Sequence, residues 1–268
     1  MLLGKYEVID SHCHVYPEKI AAAAIGATDK FYSVKSHFDG SDKSLKEQMK
    51  QSGVDHAIVQ SVATTPKQVL SINRFIKQSV DAAGGVFTGL GTLHPDSSDL
   101  EGDVEEILRL NLKGVKLHPD IQRFKIDDYR CLKIYELCEK HKLPILMHTG
   151  DSRYDFSNPN RLLPVLEIYT SLVIVGGHFG GYSVWEEAAE KLSHLPNFYV
   201  DTSSSMAFIG KDRAKKLIEK YTPNKVLYAS DYPMYPQKEE IATLLEMGFS
   251  ENEYKKIFSE NAKKVFSL

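Results

Sequence analysis

His12 and His14 stand two residues apart at the end of a short apolar run, Val8 to Ser11. Side chains alternate across a strand, so both imidazoles point to one side and Cys13 to the other. Neutral imidazole nitrogen binds Zn, Mn, Fe or Co, and a hard carboxylate can complete such a site while leaving it open to water. Alone, a His-x-His pair fits two hydrogen-bonded histidines at a strand end equally well. Its company favours the metal. Polar, chemistry-bearing residues recur where later apolar runs stop: His94, Lys116 with His118, His148, His178, Asp201 and Asp231. At the C-terminal ends of parallel barrel strands such residues converge on one rim.

The elements that must position them alternate along the whole chain. Strands are expected near Val8–Ser11, His56–Ser61, Val86–Thr92, Gly114–His118, Pro144–His148, Val173–His178, Phe198–Thr202 and Val226–Ser230. Between them, apolar residues recur at helical spacing over Asp99–Leu110, Tyr129–His141, Pro159–Tyr169, Val184–Leu192, Ala214–Tyr221 and Lys238–Met247, with a last helix over Glu253–Phe266. Ser44 followed by Glu47 reads as a capping box opening a helix that stops at Gly53. Eight strands with intervening helices predict an α/β fold, a single-domain (β/α)8 TIM barrel over residues 1–268. An open doubly wound sheet has fewer strands and needs a glycine phosphate turn after the first, where this chain has His-Cys-His. Residues 15–43, Val15 to Lys43, lack a clear period and are expected to form an active-site loop or lid, with a short helix at Ala21–Ala24. Leu-His-Pro-Asp occurs at Leu93–Asp96 and again at Leu117–Asp120, each where a strand should end.

Composition removes several function classes. The 33 Lys and Arg nearly balance 36 Asp and Glu, so no strong field draws the chain to nucleic acid or an anionic membrane. No run of about 18 apolar residues occurs. Lys5 and Glu7 interrupt the start before a leader's apolar region can build, so a cytoplasmic location is expected. The three cysteines, Cys13, Cys131 and Cys138, are too few for a disulfide framework; the last two, seven apart, read as small apolar side chains on one helix face.

Beyond the opening Ile9-Asp10-Ser11-His12-Cys13-His14, the chain carries Gly114-Val115-Lys116-Leu117-His118-Pro119, Met147-His148-Thr149-Gly150, Gly177-His178-Phe179-Gly180-Gly181 and Ser230-Asp231-Tyr232-Pro233. With these motifs it resembles the amidohydrolase superfamily, and more closely its amidohydrolase-related branch (amidohydrolase 2) of metal-dependent hydrolases and decarboxylases. The resemblance implies that His12, His14, His148 and Asp231 ligate one metal, with His178 beside it as acid/base or substrate-polarising residue. Zinc is the expected ion, with manganese, iron or cobalt as alternatives. The resemblance also permits a second ion, with a carboxylated Lys116 as bridge and His148 and His178 on that ion; a charge partner or substrate contact is the other role for Lys116. The opening also looks like that of TatD-type nucleases, but those typically carry a ligand glutamate that is missing here.

The leading expectation is hydrolysis of an amide or lactone in a small organic substrate by metal-activated water, since a bound ion lowers water's pKa to about 7. Asp231 would then move the proton and His178 or the ion would stabilise the oxyanion. The alternative is non-oxidative decarboxylation of a small carboxylic acid; a non-catalytic binding barrel stands behind both. His118 shares the face of Lys116 and is expected at the substrate. Arg153 is read either as a clamp for a substrate carboxylate or as a solvated loop residue. Asp201 suits helix capping or substrate contact, Trp185 and Tyr182 suit packing, and the direction of His94 is open. His37, His56, His141 and His194 read as ordinary surface or capping histidines. The expected partner is a small-molecule substrate, and a homo-oligomer is compatible with the sequence.

Overall fold

Short runs rich in Val, Ile and Leu form strands buried on both faces, as a parallel sheet wrapped by helices requires. In the computed structural model, which describes residues 4–268, they are β1 (Ile9–His14), β2 (His56–Gln60), β3 (Phe87–Gly89), β4 (Gly91–Thr92), β5 (Val115–Leu117), β6 (Ile145–Met147), β7 (Ile174–Gly176), β8 (Phe198–Asp201) and β9 (Val226–Leu227). Met1–Leu3, part of the stretch read above for a leader, lie outside the described residues. Neighbouring strands pair in parallel in the orders β1-β2-β3 and β4-β5-β6-β7-β8-β9.

The third expected strand divides at Leu90. Leu90 N donates to Val59 O at 2.9 Å, whereas Gly91 N donates to Gly114 O at 2.9 Å, so the chain changes neighbour there. The flanking glycines admit close helices: a Cβ on Gly89 would lie 2.6 Å from Ile76 Cγ2, and one on Gly91 2.7 Å from Ile107 Cδ1. β3 and β4 together therefore take one strand's place. Past β9, Tyr228 O accepts from Ser11 N at 3.0 Å and Tyr232 O from His14 N at 2.7 Å, bringing the last strand beside the first.

Alternation along each strand sorts side chains into two cores. Ile9, Ile58, Leu90, Leu146, Val175, Tyr199 and Leu227 pack together with Ala262, Val265 and Phe266 from the last helix, whereas Cys13, Val59, Val115, Leu117, Ile145, Met147 and Val200 face the surrounding helices. Burying each such aliphatic side chain contributes about 1.5–3 kcal/mol. Two residues beyond the inner set come His148 and Asp201, which fall on the inner face by the same alternation. Lys116, between the outward Val115 and Leu117, does too.

The longer helices follow the expected pattern with two main differences. α1 (Glu18–Tyr32) occupies most of the segment expected to be a loop, ending at Ser33 in the left-handed conformation. Its Ile-Ala-Ala-Ala-Ala-Ile core consists mostly of the strongest helix former, which needs no amphipathic period to fold. α2 (Asp42–Ser52) stops at Gly53 as expected, but Ser41 rather than Ser44 is the N-cap, its side chain accepting from Ser44 N. The second difference is α3 (Val69–Ala82), which the periodic segments above do not include. The last helix starts at Glu251 behind a Ser250–Glu253 capping box and carries a wider turn at Lys256–Glu260, where Ile257 O accepts from Tyr228 N at 2.8 Å. Cys131 and Cys138 are buried in one helix, with free thiols. Among the described residues, no helix is long and apolar enough to cross a membrane.

Candidate metal centre and active site

β1 delivers His12 and His14 to the rim, and buried Asp10 sets that end of the strand against the last one. Its carboxylate accepts from Ser230 N at 3.0 Å, Ser230 Oγ at 2.5 Å and Gln237 Nε2 at 2.8 Å. Asp231 therefore faces the two histidines. His12 Nε2 lies 3.2 Å from His14 Nε2 and 3.4 Å from Asp231 Oδ1, and His14 Nε2 lies 3.7 Å from the same oxygen. On its other side, His12 Nδ1 meets Asp201 Oδ2 at 2.7 Å. That bond places the ring proton on Nδ1 and leaves the Nε2 lone pair facing the cavity. Two convergent imidazole nitrogens and a carboxylate oxygen are a donor set for a borderline divalent ion, and these three residues fit one.

Asp201 orients its neighbours and does not cap the following helix, whose N-cap is Ser205. Against its burial, which works to raise it, the His12 and His178 rings and Ser203 hold its carboxyl far below the usual range. Its Oδ1 accepts from His178 N at 2.9 Å and Ser203 N at 3.0 Å. His178, Phe179, Ser204 and Asp231 all have left-handed backbones, φ 59°, 52°, 45° and 61°. Such strain gathers at sites where surrounding contacts over-determine the geometry. His178 Nδ1 faces Ser203 O at 3.0 Å and lies 4.0 Å from Asp231 Oδ2, while its Nε2 faces His148 Nδ1 at 2.9 Å.

Of the four expected ligands, the structure groups His12, His14 and Asp231 and seats His148 alongside, in a second cluster with His118 and Asp120. His148 Nε2 is 3.4 Å from Asp120 Oδ2. The His118 and His148 rings stack at 4.0 Å with a 7° interplanar angle. A metal binds in the plane of an imidazole, and lone pairs of face-to-face rings run parallel instead of converging, so the first cluster fits an ion better. Burial first, then nearby positive groups, holds His14, His118 and His148 well below the usual histidine range, keeping them neutral. Burial also lowers His178, with Asp231 acting against it. Lys116 is fully buried, its Nζ 2.8 Å from His12 Nε2, and burial lowers it to about 8 although Asp231 and Asp201 oppose the shift. Burial pushes Asp120 up to about 7.

Above this floor opens a cavity of about 850 Å³, lined below by His12, His14, Lys116, His118, His148, His178 and Asp231. Its walls include Ile20, Ala24, Phe31 and Tyr32 of α1, Phe75 of α3, and Tyr182, Phe208 and Tyr235. The β6–β7 side depends on bare backbone: a Cβ on Gly150 would sit 2.4 Å from Gly181 C. Of the two readings of Arg153, its contacts disfavour the substrate clamp. Its guanidinium donates to both oxygens of Asp151, Nη2 to Oδ2 at 2.6 Å, and to Phe31 O at 2.6 Å, and it is absent from the cavity lining. That fork is already filled. Tyr182 lines the cavity instead of only packing, whereas Trp185 is buried with Nε1 on Ser205 Oγ at 3.2 Å. His94 Nδ1 accepts from Asp96 N at 3.2 Å, and neither His94 nor His37, His56, His141 or His194 lines the cavity.

The sequence model of the amidohydrolase family matches residues 9–268, nearly the whole chain. The chain belongs to the amidohydrolase family. No curated protein is similar enough in sequence to count as a relative. Solved structures share the fold of this chain at low identity. A TIM-barrel protein from Bordetella bronchiseptica aligns at TM-score 0.82 and 19% identity, covering 97% of this chain and 98% of that one. A 5-carboxyvanillate decarboxylase from Sphingomonas paucimobilis aligns at 0.75 and 17%, covering 98% and 99%. A dihydroxybenzoic acid decarboxylase from a Polaromonas species, with bound manganese and the inhibitor 2-nitroresorcinol, aligns at 0.75 and 16%, covering 98% and 97%.

Three contributors to the site are not announced by the sequence pattern. Tyr32 was hidden in the segment read as a loop, though Phe31-Tyr32 closes an alanine-rich stretch. Asp120 was visible only as the last residue of the Leu-His-Pro-Asp echo. The two copies diverge: Asp120 is buried beside His148, whereas Asp96 pairs with Arg130 at the surface. Ser203, two residues past Asp201, touches both His12 and His178.

Proposed function

We propose that this member of the amidohydrolase family is a divalent-metal-dependent, non-oxidative decarboxylase of a small, ring-bearing carboxylic acid. The observation that carries the proposal is the chamber: aromatic walls sized for a ring stand over a floor that gathers a buried lysine and one metal-type donor set. The decarboxylases among the similar structures, one of them with manganese, support the same reading. A divalent ion held by His12, His14 and Asp231 would supply a fixed positive charge to bind substrate oxygens, with His148 beside the site.

The residues divide the remaining work. Lys116, beneath the centre, adds a donor for an anionic substrate. The walls exclude water from the ring. Asp231 separates its oxygens: Oδ1 faces the two histidines, while Oδ2 accepts from Ser204 Oγ at 2.5 Å and faces His178. Oδ2 is the atom that carries the proton. The bond between ring carbon and carboxyl carbon breaks, its electron pair stays on the ring carbon, that carbon takes the proton, and carbon dioxide leaves. Asp231 regains a proton from solvent after product release.

Hydrolysis of an amide or lactone is the second reading, favoured by one observation. Lys116 Nζ stands at the metal site, 2.8 Å from His12 Nε2, where a carboxylated lysine bridging two ions would suit a hydrolase. A panel of ring carboxylic acids, amides and lactones, scored for carbon dioxide and for hydrolysis with and without chelator, separates the two. Metal-dependent carbon dioxide release is expected. Hydrolysis alone, on protein with two ions per chain, would establish the second reading.

A further inference from the structure

We infer that Tyr32, carried on α1, is a substrate-contacting residue whose hydroxyl donates to an anionic oxygen, carboxylate or phenolate, of a ring bound in the chamber. His118 Nδ1 faces the Ile121 N–H at the head of the short helix Pro119–Gln122, 3.4 Å away: the bond is long, but a proton on Nδ1 would oppose that donor, so Nδ1 is the accepting nitrogen. An imidazole that accepts at Nδ1 carries its proton on Nε2. His118 Nε2 therefore donates to the Tyr32 hydroxyl, 2.7 Å away. That bond uses the oxygen's lone pair and leaves the hydroxyl hydrogen to find another acceptor. The nearest, His148 Nε2, is 3.4 Å away, too long for a good hydroxyl bond. The chamber thus holds a donor without a strong partner, and it suits an atom that only accepts.

The donor is held in place from both sides. Gln122 Oε1 accepts from His118 N at 2.8 Å, and Gln122 Nε2 donates to Ala63 O and Leu93 O at 2.9 and 2.8 Å, bracing His118 between the ends of neighbouring strands. The Tyr32 ring stands edge-on to Tyr182, centroids 5.7 Å apart, under the Arg153 guanidinium. A preorganised donor costs a ligand little to engage. Because α1 also supplies Ile20, Ala24 and Phe31 to the wall, one helix sets both the polar contact and the width available to the ring. The choice of ring acids as ligands rests on the decarboxylase proposal; the subsite itself does not.

Calorimetric titration of manganese-loaded protein with 2-nitroresorcinol, comparing wild type with Tyr32→Phe, tests this. Manganese content and melting temperature are read alongside. Phe keeps the ring packing and removes only the oxygen. The expected result is binding to wild type and an affinity about tenfold or more weaker in Tyr32→Phe, with manganese content unchanged. Equal affinity in the two proteins, or no binding to wild type, would overturn the inference. Weakened binding without carbon dioxide release from any acid would keep the Tyr32 subsite and remove the decarboxylase reading. Equal binding with carbon dioxide release would do the reverse.

Discussion

Asp201 brings no ligand atom to the cavity, yet its 2.7 Å contact decides which nitrogen of His12 faces inward. Partners of this kind typically change metal affinity by about 10- to 100-fold. Asp201→Asn is expected to weaken manganese binding by at least tenfold in a chelator competition, and unchanged affinity would refute its orienting role. Lys116 makes a second, signed prediction. Its folded pKa of about 8 lies below the ordinary 10.5, so between those values the unfolded chain binds a proton that the folded chain has released. Stability from this group therefore rises with pH across that window. In metal-free protein, wild type should gain on Lys116→Met by on the order of 2 kcal/mol from pH 8 to 10.5 in denaturant titrations, and parallel curves would contradict this. His12, His14, His148, His178 and Asp231 were legible because each follows an apolar run, and Lys116 because it interrupts one, where a barrel puts its chemistry. Asp120 and Tyr32 were not, since a residue in a one-turn helix and the end of a longer one announce nothing by spacing.

α1 makes the case for elements. It was read as a loop because alanine gives no amphipathic period, yet high propensity lets such a stretch stay helical once it is packed. Its far end is tied by the bond from Arg153 Nη1 to Phe31 O, with the guanidinium 5.1 Å over the Phe31 ring. Arg153→Ala should speed hydrogen exchange across residues 18–32 while leaving β5 to β8 protected. Uniform protection in the variant would mean that the helix is held by its wall packing alone. The strands were far more legible than the helices between β1 and β3. Buried parallel strands are continuous apolar runs, but α3 starts behind Thr65-Pro66, a cap whose partner Gln68 completes a box that the apolar pattern does not reveal.

For the molecule as a whole, the barrel turns a scattered set of residues into one floor. His12 and Asp231 are joined through strands that begin and end the ring, with Asp10 tying Ser230 and Gln237 to β1. Eight strand positions were readable from the chain; the change of neighbour at Leu90 was not, because hydrogen-bond partners leave no mark on local composition. The proposed chemistry depends on where an ion sits. Anomalous scattering at the manganese edge, from crystals grown with manganese, tests it most directly. The expected peak is shared by His12 Nε2, His14 Nε2 and Asp231, at about 2.0–2.3 Å from each. A peak confined to His118, Asp120 and His148, or no peak at all, would contradict it.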